Sequence, residues 1–193
     1  TNFDYPSLPK HIMYGLGRLV YAAGGTAETF VLAARLVSAG LGGVVVILAY
    51  LIAVQAGATW RGAAVAALLT GLCSLLVINT HFAHNDAYLV AFTTLAVYCV
   101  LRYQAVGNGR WLWWSFAAVG LAASSKYNGA SLAVVPILAG VARRGTGGAG
   151  LARLASTMGI GIACMIAAYV TGTPRALIAP ADYVRGVWPA LLN

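Results

Sequence analysis

The residues best suited to chemistry lie in one short polar stretch, residues 79–86, between two long apolar runs. It contains His81, His84 and Asp86, and Asp86 is one of only four acidic residues in the chain. A carboxylate near lipid costs roughly 2.5–3.5 kcal/mol on insertion scales, so such residues usually have a function. Two interpretations stay open: Asp86 caps a helix that starts at Ala87, or it belongs to a binding site.

The other basic and imidazole groups near this stretch suggest two kinds of ligand. His81 and His84 are three residues apart, a spacing that can bind zinc beside an acid, but no third ligand stands at a known spacing. Ordinary interfacial histidines are therefore the favoured interpretation. Lys126 lies in the polar hexapeptide 124–129. Taken alone, it is a lysine that extends its ammonium group from a helix end to water. Beside Asp86 on one side of a membrane, it is a cation suited to a phosphate.

Composition identifies the setting of these residues as a membrane. The 193 residues are 61% hydrophobic and only 8% charged, whereas a soluble domain is about a quarter charged. This composition excludes both a soluble enzyme and a disordered tail. The net charge of +8 does not indicate nucleic-acid binding, because the basic residues are scattered between apolar runs rather than clustered on one face. The cysteines also lie inside apolar runs, with no disulfide or metal-site spacing: Cys73, Cys99 and Cys164.

Apolar runs of suitable length predict an all-α integral membrane protein with about six spans. A helical span needs about 20 mostly apolar residues. The predicted spans cover residues 35–54, 62–79, 87–101 and 152–170, with two shorter runs at 111–123 and 130–142. The shorter two are either a re-entrant pair or two short spans, and we favour short spans joined by a loop at 124–129.

The first thirty residues predict a different element, an amphipathic helix lying in the membrane interface. Apolar and polar residues occupy opposed stripes at helical spacing, and a Gly-Gly pair ends the pattern. The apolar stripe consists of Leu8, Ile12, Leu16, Leu19 and Ala23. The predicted organisation is therefore an extracytoplasmic segment at 1–30 followed by a transmembrane bundle at 31–193.

The distribution of arginines predicts the orientation of this bundle in a plasma membrane. The loops at 55–61, 102–110 and 143–153 carry most of the arginines, while Lys126 is the only lysine or arginine of the loops at 79–86 and 124–129. The positive-inside rule makes the arginine-rich loops cytoplasmic and the two polar loops extracytoplasmic.

The order of four motifs resembles the N-terminal portion of GT-C glycosyltransferases, closest to family 39, the protein O-mannosyltransferase and aminoarabinose-transferase type. The motifs are a proline-rich entry (YPSLP, 5–9), a span start (ARLVSA, 34–39), an outer loop (HFAHNDA, 81–87) and a second loop (SKYNG, 125–129). The turn GTPRALI at 172–178 also resembles the family pattern. The resemblance implies transfer of a sugar of the mannose type from a polyprenyl-phosphate donor to an acceptor on the extracytoplasmic face.

The resemblance also implies roles for individual residues. Asp86 matches an acidic motif that organises the donor phosphate, in some relatives through a divalent metal. Because His84 and Asn85 stand where some relatives carry further acid, the metal stays open. Arg35 and Lys126 match basic positions near the lipid phosphate. The implied substrate-binding set comprises Arg35, His81, His84, Lys126, Tyr127 and Asn128.

One departure from the family pattern leaves a second function open. The family's catalytic Asp-Glu motif precedes the proline-rich entry, and here only Asp4 lies upstream. We therefore expect a fragment or a reduced relative with no transferase activity on its own. The alternative is a non-catalytic accessory subunit that keeps the scaffold and packs into a larger membrane complex. Expected partners are the bilayer, the lipid-linked donor, and the rest of the enzyme or such a complex.

Overall fold

The computed structural model describes residues 7–143, 148–181 and 183, and across these residues it is helical with no strand. The predicted all-α class is confirmed. Tyr5 and Pro6 of the proline-rich entry lie outside the described residues, as does Asp4, which lies upstream of that entry. The elements are α1 (Leu8–Ala22), α2 (Ala27–Gln55), α3 (Trp60–Gly71), α4 (Ser74–His81), α5 (Asn85–Val106), α6 (Gly109–Ser125), a 3-10 helix (Tyr127–Ala133), α7 (Val134–Ala142), α8 (Gly148–Gly172) and α9 (Arg175–Ile178).

Three of these helices are long and apolar enough to cross a membrane by themselves: α2, α5 and, from Gly150, α8. Helices α3 and α4 meet at a bend of 56°, and together they make a fourth candidate span only if the bent pair is counted as one. The expected six spans are therefore not confirmed. All six apolar runs are helical, but the Tyr127–Ala142 segment is too short for a span, and α6, with 17 residues, is not among the helices that are long and apolar enough to cross.

The N-terminal amphipathic pattern does form a helix, α1, but its faces differ in part from the prediction. Ile12 and Leu16 are half-buried as expected, whereas Leu19 is 72% exposed. The predicted Gly-Gly stop is confirmed, because Gly24 adopts a φ of +78°, which glycine tolerates best. Thr26 then caps α2, where its side chain accepts a hydrogen bond from the Thr29 amide. The α2 span thus begins eight residues before Arg35.

The core lies where α6 packs against α5 on one side and α8 on the other. Leu112 and Phe116 of α6 are fully buried there. The Ser115 hydroxyl donates a 2.9 Å hydrogen bond to the Ala96 carbonyl of α5. Gly161 of α8 allows close contact with the Phe116 ring, as small residues do in membrane bundles.

The hydrogen bonds and the directions of the helices show that the charged residues lie at two opposite ends of the bundle. Arg102, near the end of α5, donates to Gln55 at the end of α2, so these two ends meet. Because α5 and α6 form an antiparallel pair, Asp86 at the start of α5 and Lys126 after α6 lie at the other end. Five arginines share the first end: Arg61, Arg102, Arg110, Arg143 and Arg153.

Candidate functional site

Asp86 lies in the first turn of α5, where the helix N-terminus favours negative charge. The helix begins at Asn85 and its N-cap residue is His84, so of the two open interpretations, the one in which Asp86 caps a helix starting at Ala87 is wrong. A cap hydrogen bond would engage the carboxylate with its own helix. As the second helical residue, Asp86 instead extends its side chain toward a neighbouring element.

Lys126 is positioned by an abrupt change of backbone conformation after α6. The predicted loop at 124–129 does not exist as a loop: Ser124 and Ser125 are the buried last turn of α6, and the 3-10 helix starts at Tyr127. Lys126 alone is extended, with φ −153° and ψ +133°. Gly129 lets the 3-10 helix approach α6, because a Cβ there would lie 2.5 Å from the Ala122 carbonyl carbon.

These two elements bring opposite charges together across forty residues of sequence. The Lys126 Nζ donates a 2.9 Å hydrogen bond to Asp86 Oδ1. The other carboxylate oxygen, Oδ2, lies 3.1 Å from His84 Nδ1. The side chains of Asp86 and Lys126 are 23% and 32% exposed, so the pair is partly buried yet reachable from solvent.

The two members of the pair have unequal numbers of described contacts. Asp86 contacts Lys126 and His84 and stands at the positive end of α5. A lysine ammonium has three N–H donors, and Asp86 accepts one of them. Lys126 therefore keeps N–H donors beyond the one that Asp86 accepts.

Two other predicted residues are not joined to this pair. Arg35 is exposed on α2, where it lines a separate groove with Glu28 and Val31. His81 is the last residue of α4, and its ring meets the Phe82 ring edge-on with centroids 5.2 Å apart. Of the predicted set, the structure brings together Asp86, Lys126 and His84.

Tyr127 and Asn128 follow Lys126 directly but have different surroundings. Tyr127 shares a hydrogen bond with Tyr183, whose hydroxyl also bonds to that of Tyr169 on α8. The pKa of Tyr183 is raised to about 12, chiefly by burial; the hydrogen bond to Tyr169 lowers this pKa, and the hydrogen bond to Tyr127 raises it. Asn128 is exposed, and its carbonyl accepts from the Ser131 hydroxyl at 2.7 Å.

Sequence reasoning missed this link between Tyr127, Tyr169 and Tyr183. The residues come from the 3-10 helix, α8 and the chain beyond α9. Separations of 14 residues and more carry no periodic signal, so only the fold brings them together.

The described residues do not supply a divalent metal with a suitable ligand set. Among them, no group of three or more His, Cys, Asp and Glu side chains lies close enough to hold an ion. Hard divalent ions prefer several oxygen ligands. Among the residues that the structure describes, Asp86 is the only carboxylate near the pair, and both of its oxygens have protein partners.

The fold and this pair define a helical integral membrane protein that carries a partly exposed Lys126–Asp86 ion pair at one end of its bundle. The family model for dolichyl-phosphate-mannose-protein mannosyltransferase matches residues 22–178, most of the chain. The chain therefore belongs to this family of GT-C membrane glycosyltransferases, as its motifs predicted. No curated protein and no solved structure matches the chain.

Proposed function

We propose that the chain is part of a mannosyltransferase that uses a polyprenyl-phosphate sugar donor at the extracytoplasmic face of the plasma membrane. Lys126 binds the donor phosphate, and Asp86 holds Lys126 in position. The observation that carries this proposal is the 2.9 Å Lys126–Asp86 contact, which is partly exposed at one end of the bundle. Family membership supports a lipid-linked donor.

The distribution of charge supports the proposed orientation. The positive-inside rule favours a cytoplasmic location for the arginine-rich end of the bundle, with the Asp86 end outside. A donor whose prenyl chain lies in the bilayer presents its phosphate at the membrane surface, where the Lys126 ammonium ends.

The chemical contribution of Lys126 is to stabilise the leaving group. Sugar transfer breaks the bond between the anomeric carbon and the phosphate oxygen, and the bonding electrons remain on that oxygen. An N–H donor already aimed at the developing charge stabilises the transition state more than the ground state. Asp86 acts through Lys126 and is a positioning residue.

The test is donor kinetics in the natural full-length protein, with Lys126→Ala and Lys126→Arg compared with Arg61→Ala. Arg61 is an exposed arginine at the opposite end, so its loss removes one charge without touching the site. We expect Lys126→Ala to lower kcat/KM for the donor at least about tenfold, in line with loss of one charged hydrogen bond. Lys126→Arg should retain part of the activity, and Arg61→Ala nearly all.

Two results would contradict the proposal. Activity of Lys126→Ala within twofold of wild type would remove Lys126 from the donor site. Under the alternative of a non-catalytic subunit, no substitution in the site would alter sugar transfer by the complex that contains the chain.

A further inference from the structure

A second concave site lies at the arginine-rich end of the bundle. A cavity of about 950 Å³ is lined by the C-terminal part of α5, the first turns of α6, the end of α7 and the start of α8. Its lining includes Arg110, Arg143 and Arg153, together with Asn108 and Trp113. We refer to it as the arginine cavity. Its volume is in the range of small-molecule binding sites.

The arginine cavity is separate from the Lys126 site. Asp86 stands in the first turn of α5 and Tyr103, in the last turn of that helix, lines the cavity. A helix of 22 residues is about 33 Å long, which is close to the thickness of the hydrocarbon layer. The two sites therefore lie near opposite membrane surfaces.

Positive charge in the cavity is not balanced by any described acidic residue. Of the four acids in the chain, Glu28 and Asp86 lie in the first turns of α2 and α5, at the other end, and the remaining two lie outside the described residues. Among the described residues, the side chains of Arg110 and Arg153 have no hydrogen-bond or ion-pair partner. Guanidinium groups gathered without a counter-charge favour an anionic ligand.

The third arginine is fixed in the wall by the backbone at the end of α5. Arg143 donates to the Gln104 carbonyl, and its guanidinium lies 5.8 Å from the centre of the Tyr103 ring. Gly107 makes room for it: a Cβ there would lie 2.4 Å from an Arg143 terminal nitrogen, and the residue has φ +75°. Because arginine carries five N–H donors, Arg143 still has donors for a ligand.

Neutral donors complete the lining. The Trp113 indole N–H is buried and has no hydrogen-bond partner among the described residues. An unsatisfied buried donor is costly, and an acceptor-rich ligand in the cavity offers it a partner. The first turn of α6, capped by Asn108, adds the positive end of a helix dipole.

We propose that the arginine cavity binds a phosphate group. Phosphate oxygens match the forked donors of arginine, and one anion in the cavity offsets the mutual repulsion of Arg110, Arg143 and Arg153. The location at a membrane boundary makes the phosphodiester of an anionic phospholipid the expected source. Free phosphate from the aqueous side has the same binding chemistry.

The test measures lipid and phosphate binding by the full-length protein in nanodiscs. The test variant is Arg110→Gln with Arg153→Gln, which leaves the wall contact of Arg143 intact. The control variant is Arg18→Gln with Arg61→Gln, which removes two exposed arginines that do not line the cavity. One arm compares retention of phosphatidylglycerol with phosphatidylcholine by native mass spectrometry. The other arm titrates inorganic phosphate against chloride, at equal ionic strength, in phosphatidylcholine nanodiscs.

The outcomes distinguish a lipid phosphate from free phosphate, and both of these from the absence of a phosphate site. For a lipid phosphate, the test variant should lose phosphatidylglycerol preference at least about tenfold while the control variant keeps it. For free phosphate, only the second arm should show binding, with the same dependence on the variants. The proposal is overturned if wild type shows neither preference, or if the control variant loses binding as fully as the test variant. If the double variant fails to fold, Arg110→Lys serves in its place, because lysine keeps the positive charge but lacks the forked N–H donors of arginine. Unchanged phosphate binding by Arg110→Lys would argue against forked coordination of the phosphate by Arg110.

Discussion

Gly129→Ala is expected to destabilise the protein and to displace the lysine of the Asp86 site. The added Cβ would lie 2.5 Å from the Ala122 carbonyl carbon, 2.6 Å from its oxygen and 2.7 Å from the Ala123 nitrogen. Ordinary contact begins near 3.4 Å, so the 3-10 helix must move away from α6 by about 0.9 Å. All three neighbouring atoms belong to backbone, which cannot turn aside as a side chain can.

The magnitude follows from the cost of overpacking. Forcing extra atoms into a packed contact costs about 1–3 kcal/mol, partly offset by the 0.5–1 kcal/mol that alanine saves in backbone entropy relative to glycine. A net loss of up to about 2.5 kcal/mol is therefore expected. Lys126 precedes the 3-10 helix, so its 2.9 Å contact with Asp86 should lengthen and donor KM should rise several-fold.

The assay is the free energy of unfolding in mixed micelles, with donor kinetics measured on the same preparations. Gly40→Ala on α2 is the matched control, because no described atom lies within 4 Å of its Cβ position. The control should be unchanged or slightly stabilised. If Gly129→Ala is as stable as Gly40→Ala and has the same donor KM, the close approach of the 3-10 helix to α6 does not position Lys126.

Three further predictions concern packing, pH and the arginine cavity. Gly120→Val should lower the free energy of unfolding by about 1–3 kcal/mol, because a Cβ would lie 2.2 Å from the Met165 carbonyl oxygen of α8. Unfolding by urea or detergent titration measures this loss. An unchanged free energy of unfolding would refute the α6–α8 contact. Since burial raises the pKa of Tyr183 from 10.0 to about 12, its contribution to stability should be complete below pH 10 and be lost as pH rises through 12. Tyr183→Phe should flatten that loss relative to wild type in unfolding curves taken across this range, and parallel curves would argue against the buried hydroxyl. Gly107→Ala should strain the backbone at φ +75° and displace Arg143. Phosphate binding in nanodiscs should then weaken while the donor KM stays unchanged. A change in donor KM alone would contradict the separation of the two sites.

The sequence was sufficient to predict the helical membrane class and the segregation of charge, because both depend on composition and periodicity. The expected six spans are not confirmed, since apolar content alone does not fix helix length. The bend after Gly71 and the 3-10 helix after Lys126 each depend on how neighbouring helices pack. A run of apolar residues is compatible with a straight span and with a broken one.

The candidate site was predictable in its members but not in its contacts. Asp86 and Lys126 stood out because charges are rare in this chain, and the structure joins them. Arg35 and His81 are equally polar, yet their helices place them elsewhere, which no local pattern reveals. The arginine cavity was visible in the sequence only as a topology signal, because its lining comes from α5, α6, α7 and α8.

The most direct test of the proposed donor site is a double-mutant cycle of Asp86→Asn and Lys126→Gln on donor kcat/KM in the full-length protein. If Asp86 acts by holding Lys126 against the donor phosphate, the double variant should be no worse than Lys126→Gln alone, because the positioning residue then has nothing left to position. Losses that add in full, or wild-type kinetics in Lys126→Gln, would contradict the account.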